Sequence, residues 1–485
     1  MNDIIEGVYN VIWSDVLVYF CLGLGIYLTI KFRFPQFFYF KDMIRLLFDG
    51  ESSAKGISSF QAFSIAVSGR VGTGNIAGVA TAIAMGGPGA VFWMWLTAIL
   101  GSSTAIAEAT LGQMYKEVNN GEYRGGPAFY ILKGLKSKTF AWAFAIVTIV
   151  STGFFLPSIQ SNSIALAVDT AFNVSPNVVA IILTVLLAII ILGGVKRIGM
   201  VAEYIVPIMA GIYILMAIVI IGLNVTKIPE VFSLIINSAF NAKSAFGGII
   251  GIAISWGVKR GIYSNEAGQG TAPHAASAAE VTHPYKQGLV QGFSVYVDTL
   301  LVCTATALMI LFTGQYNIEN PEGGFLVQNI APEIQYGPEF TQLAVAHHFP
   351  MMGKPFIAIA LFFFAFTTIM AYYYIAETNV SFVLRKSKGK ILYWILRICI
   401  LLSVYLGCVI TAKTAWTLGD IGVGLMAWLN LIALVFLHNR VWIAQKDYNE
   451  QKRLGKNPVF NSDKYGFKHM TFWSRKEREK DKPIT

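Results

Sequence analysis

The chain has 485 residues, 55% of them hydrophobic and only 13% charged, with a formal net charge of +10 at pH 7. That is far more apolar surface than one soluble core can bury, so lipid must cover the excess. The Lys and Arg behind the net charge sit between the apolar runs and near the carboxyl terminus, a membrane pattern that argues against a nucleic-acid partner.

Asp3 and Glu6, with no basic residue in the first ten positions, argue against a cleaved signal peptide, so the first helix is expected to stay. Apolar stretches of about twenty residues, enough to cross a bilayer core of about 30 Å, recur along the chain. They place membrane helices near 11–32, 57–84, 88–115, 138–172, 176–193, 198–222, 244–280, 286–313, 353–384, 391–412 and 416–439. The expected fold class is therefore all-α and polytopic, with one membrane domain over 1–440 and a solvated basic cytoplasmic tail over 441–485. Lys41, Arg45 and Lys55 follow the first span; Lys116, Arg124, Lys133 and Lys136 the third; Lys196 and Arg197 the fifth; Arg385, Lys386 and Lys388 the ninth. Such alternation marks cytoplasmic loops, and the acidic stretch with Glu319, Glu322, Glu333 and Glu339 falls on the other side. The amino terminus is expected outside and the carboxyl terminus inside. Segment 315–352 is long for a loop and moderately apolar, so a short helix over the outer mouth is expected. Cys21, Cys303, Cys399 and Cys408 fall within helices without metal-ligand spacing and read as free thiols.

An internal repeat gives the first pointer to mechanism. Arg70–Ala82 (RVGTGNIAGVATA) and Arg260–Ala272 (RGIYSNEAGQGTA) share six of thirteen positions without a gap. Five spans separate equivalent points of the second and seventh helices, so the copies run in opposite directions across the membrane. Inverted repeats of this kind build secondary transporters, whose sites lie at the midplane between two interrupted helices. Gly72, Gly74 and Gly78, and Gly261, Gly268 and Gly270, loosen the backbone where Asn75 and Asn265 can bond it locally. Unwound backbone in hydrocarbon persists only where it lines an enclosed cavity. A half-helix amino terminus there suits a carboxylate, and the opposing carbonyls suit Na+ or an ammonium. The competing reading is close packing through small-residue seams. The charges Arg70 and Arg260 at that depth favour a functional one.

The run Arg70 to Gly101, including Gly86-Gly87-Pro88-Gly89-Ala90-Val91-Phe92-Trp93-Met94-Trp95, resembles the hallmark of the alanine or glycine:cation symporter family. Arg124-Gly125-Gly126-Pro127-Ala128 and Ser264-Asn265-Glu266-Ala267-Gly268 resemble two further family motifs, and the similarity extends from about residue 10 to 460. The resemblance implies a leucine-transporter-type fold of five plus five inverted helices: an extra helix at 11–32, a first repeat over about 57–222 and a second over about 244–439. It also implies roles for single residues. Backbone N–H groups around Gly72, Thr73, Gly74 and Asn75, with the Thr73 hydroxyl, would hold a substrate carboxylate. Ser264 and Asn265 would contribute from the second broken helix. Gln160 is similar to a substrate-facing family position, or else serves as polar glue between helices. Thr367 and Thr368, with main-chain oxygens of Ser68 and Val71, resemble a conserved sodium site, or else bond only the preceding turn. Tyr372 stands where relatives carry Trp or Asn; as a cap on the side-chain pocket it leaves alanine, glycine and glutamine as candidate substrates.

Glu108, Glu203, Asp298 and Glu377 are further carboxylates within spans, unranked by sequence. No HExxH, GxSxG or Walker motif is present, so neither an embedded enzyme nor an ATP-driven pump is expected. The expected function is alternating-access uptake of a small neutral amino acid with Na+, or with a proton in its place, in a prokaryotic plasma membrane. No cofactor and no obligate protein partner are expected beyond Na+ as coupling ion, the amino acid and the bilayer.

Overall fold

The computed structural model describes residues 2–50, 52–53, 55–119, 121–192, 194–240, 250–385, 389–467 and 469–474, with backbone alone at 2–4, 194–196 and 250. The expected start of the seventh span at 244–249, the side chain of Lys196, Lys386, Lys388 and the end of the tail at 475–485 lie outside the described residues.

Among the described residues every apolar stretch forms helix. Eight helices among the described residues are long and apolar enough to cross a membrane: Ile5–Lys31, Gly89–Met114, Lys138–Phe172, Arg197–Leu223, Pro284–Thr313, Gly353–Leu384, Ile391–Val409 and Ala412–Arg453. Pro176–Ile191 is a shorter apolar helix, and the second and seventh spans each come in two pieces. The second consists of Ser59–Arg70 and Gly74–Gly86, the seventh of Ile250–Asn265 and Ala272–Ala278.

Local chemistry sets many of the boundaries. Ser58 caps the second span through a reciprocal box with Gln61, and Pro176, Pro284 and Pro338 start helices where no N–H is needed. The loop after Thr313 carries the expected short helix, Pro338–His348, which packs on the ninth span. Two antiparallel hairpins, Glu117–Asn119 with Glu122–Arg124 and Asn317–Glu319 with Phe325–Gln328, are strands that the all-α expectation did not contain; both lie in connections.

Burial separates inner from outer helices. In their most apolar windows the eighth and ninth spans are 78% and 72% buried, whereas the sixth and tenth are 33% buried and so face lipid. The third span packs on the seventh and eighth, and the fourth on the ninth, tenth and eleventh.

The largest departure from the sequence reading is at the carboxyl-terminal end. The apolar stretch ends near residue 439, but the eleventh helix continues to Arg453, with Gln445, Asp447 and Tyr448 buried on one side. Residues 454–467 and 469–474 then return to the bundle face opposite the 314–352 loop, where Phe460, Met470 and Trp473 are buried, so this part of the expected solvated tail is anchored on the bundle. Trp473 is fully buried and donates from Nε1 to Gln113 O at 2.7 Å. Phe460 N donates to Thr282 O at 3.0 Å, and Lys116 lies over the rings of Tyr123 and Phe472 at 4.2 and 4.4 Å. Hydropathy alone misses this because the anchors are isolated aromatics in a basic sequence. Trp473→Ala is expected to cost about 3–5 kcal/mol, read as a lower midpoint of thermal unfolding in detergent; an unchanged midpoint would show that the segment does not stabilise the bundle.

Candidate functional site

The site forms where the second span breaks. Helix Ser59–Arg70 ends at Val71, whose φ of −76° and ψ of 89° leave the helical region, and Gly74–Gly78 resumes as a π-helical turn. Such turns recur at functional sites because they widen the helix and free backbone groups. Glycine is required at 72 by close approach: a Cβ there would overlap Thr368 Oγ1 and lie 2.9 Å from Gln160 Oε1. At Gly74 a Cβ would lie 3.0 Å from the Cα of Ser264, so the two broken helices nearly touch.

Freed donors find partners among the expected residues. Gly72 N donates to Asn75 Oδ1 at 2.8 Å and Thr73 N to Gln160 Oε1 at 3.0 Å. The Gln160 amide in turn reaches the Tyr263 hydroxyl at 3.4 Å. The Thr73 hydroxyl is buried without a partner among the described residues. Gly72, Thr73, Gly74, Asn75, Gln160 and Ser264 therefore share one small polar locus.

Asn265 and Tyr372 sit at its margin. Asn265 Oδ1 accepts from Ala267 N at 2.9 Å, bracing its own break, while Tyr372 is buried against the Glu266 carboxylate.

Beside this locus is a cage of oxygens. Thr368 Oγ1 lies 2.7 Å from Ser68 O, 3.4 Å from Val71 O and 2.9 Å from Phe364 O. Thr367 Oγ1 shares the Phe364 carbonyl at 3.0 Å and also reaches Phe363 O at 2.9 Å. Thr368 thus bridges the ninth span to the broken second span, whereas Thr367 bonds the preceding turn of its own helix. The Phe364 carbonyl was missed from sequence, because a main-chain oxygen leaves no trace in residue type; its signal is position, one turn before two adjacent threonines.

Asp298 is one of the four carboxylates that the sequence left unranked. It rides on the π-helical stretch Tyr296–Cys303 and is fully buried. Its carboxylate accepts from Asn75 Nδ2 at 2.6 Å, Ser264 Oγ at 3.1 Å and Thr299 Oγ1 at 2.6 Å, all neutral donors. Arg70 interacts electrostatically with Asp298, Glu108 and Glu266 together, while donating to Gln291 O and Ser294 Oγ. Glu108, Glu266 and Asp298 are all buried, so three carboxylates share the field of this one guanidinium. The other intramembrane carboxylates are structural or peripheral by comparison: Glu203 accepts from Gln61 Nε2 at 3.1 Å, and Glu377 lies 3.7 Å from Arg124.

A cavity of about 470 Å³ opens above the site toward the 314–352 loop, lined by Tyr9, Trp256, Arg260, Tyr336, Trp416 and Asp420 among others. Its floor is the ion pair Arg260–Asp420, 2.7 Å apart, with Trp416 over the guanidinium at 4.4 Å and Tyr263 against Trp416. Asp420 was not singled out from sequence, although Arg260 was.

The arrangement, a polar locus between two broken helices with an oxygen cage at its edge, was compared with known proteins. Residues 1–462 match the model of the sodium:alanine symporter family. A sodium/proton-dependent alanine carrier protein of Bacillus sp. (strain PS3) is 49% identical over 446 residues, covering 91% of this chain and 100% of that one. A sodium/alanine symporter of Methanococcus maripaludis is 38% identical over 459 residues, covering 93% of this chain and 98% of that one. A solved manganese transporter of Eremococcus coleocola shares the fold, with a TM-score of 0.50 at 13% identity over 88% of each chain.

Proposed function

Because the chain belongs to the sodium:alanine symporter family, we propose that it takes up a small neutral amino acid, alanine or glycine first and glutamine next, together with Na+. The observation that carries this reading is the convergence of the Thr368 hydroxyl with Ser68, Val71 and Phe364 carbonyls beside the break at Gly72. Hard neutral oxygens of this kind suit a monovalent cation. Ser68, Val71, Phe364, Thr367 and Thr368 are its ligands in this reading, and Thr367 turns from Phe363 O to join them.

The amino-acid carboxylate takes the N–H groups at Thr73 and Gly74 and the Thr73 hydroxyl. Gln160 now occupies the Thr73 N–H, so its amide rotates toward Tyr263 as the carboxylate arrives. The ammonium is drawn by Asp298 through Ser264 and Asn75. Tyr372 limits the side-chain space. Bound Na+ fixes Ser68 and Val71, and with them the turn that presents Gly72 and Thr73, so each ligand tightens the other by the same factor.

The distribution of basic loops supports a plasma-membrane orientation with the 314–352 loop outside and the carboxyl-terminal segment cytoplasmic. A proton-driven mode is the second reading, favoured by the Asp298 carboxylate, fully buried and hydrogen-bonded to neutral donors.

The test is uptake of each neutral amino acid into proteoliposomes under an inward Na+ gradient, with Thr368→Ala alongside. Expected is accumulation of alanine or glycine that vanishes when K+ replaces Na+. Thr368→Ala should raise the Na+ concentration for half-maximal uptake about tenfold, the loss of one cation ligand and a bridging hydrogen bond. Uptake that persists in K+ and follows a pH gradient would replace Na+ with a proton, and no uptake at all would reject the substrate class.

A further inference from the structure

The seventh span is interrupted for six residues, Glu266 to Thr271, where the helical backbone ladder is broken. Glu266, Gly268 and Gly270 all take left-handed φ angles of 56°, 91° and 81°. Ala267 N donates to Asn265 Oδ1 at 2.9 Å, Gln269 N to Glu266 O at 3.1 Å, Gln269 Nε2 to Ile262 O at 2.6 Å and the Thr271 hydroxyl to Glu266 Oε2 at 2.8 Å. The backbone of its two glycines at 268 and 270 is met from outside. Gly270 N donates to Glu108 Oε2 at 3.2 Å, and Asn430 Nδ2 donates to both Glu108 Oε2 at 2.7 Å and Gly268 O at 2.9 Å. Tyr130 donates its hydroxyl to Asn430 Oδ1, completing the side chain's bonding. The fit is tight: a Cβ on Gly270 would lie 2.6 Å from Pro127 Cγ and 3.1 Å from Asn430 Cγ.

Asn430 belongs to the eleventh span, which also carries Asp420. Asp420 grips the same broken helix before its gap, through a two-pronged bond to Arg260 at 3.1 and 2.7 Å. Ten residues of helix, about 15 Å, therefore connect one grip on each side of the interruption. Between the grips lie Ser264, at the polar locus, and Asn265, at its margin. On the far side of the first grip lies the cavity of about 470 Å³, with Arg260, Trp416 and Asp420 in its lining.

We propose that Glu108 and Asn430 are positioning residues that lock the inner end of the gap to the eleventh span, so that binding at Ser264 moves Asp420 and Trp416 and closes the outer cavity. The helix transmits the displacement because its backbone is hydrogen-bonded throughout, while the gap it spans is not. Glu108 acts as a hydrogen-bond acceptor for Gly270 and Asn430, and its charge is not required for that role. The inference rests on the amino-acid reading of the site.

The experiment compares Asn430→Ala, Glu108→Ala and Glu108→Gln in the full chain, measuring equilibrium binding of radiolabelled alanine in Na+ and initial uptake in proteoliposomes. Loss of the lock is expected to lower the maximal uptake rate about tenfold in both alanine variants while the Kd for alanine stays within about threefold of the parent. Glu108→Gln, which keeps an acceptor oxygen, is expected to retain at least about half of parental uptake. Combining Asn430→Ala with Asp420→Asn should cost less than the product of the single losses, because one helix carries both grips. A Kd that weakens in step with the rate would show that these residues merely shape the pocket and would overturn the proposal. So would parental rates in the alanine variants, inactivity of Glu108→Gln, or multiplicative losses in the double variant. If Asn430→Ala is not monodisperse on size exclusion, Asn430→Asp removes the same donor without changing volume and decides the question. Failure of the parent protein to bind or transport any neutral amino acid would instead reject the underlying substrate reading, separately from the lock.

Discussion

Asp298→Asn is expected to give a folded protein that binds neither amino acid nor cation and loses uptake by about a hundredfold or more. Asp298 accepts from Asn75, Ser264 and Thr299 and has no donor of its own when ionised. An amide of equal volume presents an NH2 group to the same donors, so at least one buried hydrogen bond is lost and a donor faces a donor, at about 1–3 kcal/mol for each unmet group. In the proposed reading the larger effect is electrostatic, since the carboxylate supplies the negative charge that draws the ammonium toward Asn75 and Ser264. Asp298→Glu keeps the charge but lengthens the side chain in a packed site, so partial binding with poor uptake is expected. Uptake assays with both variants, and thermal unfolding to confirm folding, check the claim. Parental transport by Asp298→Asn would remove the carboxylate from the mechanism.

Gly72→Ala is the second large effect. The added methyl overlaps Thr368 Oγ1 and crowds Gln160 Oε1, which in the proposed reading serve the ion and the amino acid respectively. Overpacking of this kind costs about 1–3 kcal/mol in stability, but the functional loss exceeds it because one atom displaces partners of both ligands. Loss of Na+-dependent alanine binding with a modest fall in unfolding temperature is expected. Gly78→Ala is the control, because the nearest atom to a Cβ there, on Trp416, is 3.8 Å away. Equal loss in both variants would mean that helix flexibility, and not local space, is what glycine contributes.

Much of this architecture was legible in the sequence, and for identifiable reasons. Apolar length located every span, because a bilayer imposes it. The two glycine-rich copies identified the helices that break, yet not where. Aligned on Arg70 and Arg260, the first copy opens immediately after its arginine, at Val71 and Gly72, while the second opens five residues further on, after Asn265. The difference is tertiary: Thr368 and Gln160 crowd the first gap at its start, whereas Glu108 and Asn430 hold the second further along. Among residues announced by type, Gln160 and Ser264 lie beside the first break and Thr368 beside Ser68 and Val71, whereas Thr367 bonds its own helix. Asp298 could not be ranked above Glu108, Glu203 and Glu377, because all four are single carboxylates in apolar helices. Their partners, which separate them, come from spans far away in the chain.

The packed segment 454–474 also bears on how the protein is made. Its contacts, Trp473 with Gln113, Phe460 with Thr282 and Lys116 with Phe472, join residues synthesised hundreds of positions apart. Insertion of the spans can proceed one after another as they leave the ribosome, but this face of the bundle stays open until the last aromatic anchor has been added. A nascent chain halted after Arg453 would thus hold all its membrane helices with Gln113 and Thr282 uncovered, an intermediate that a protease on that side would recognise and the finished protein would not present.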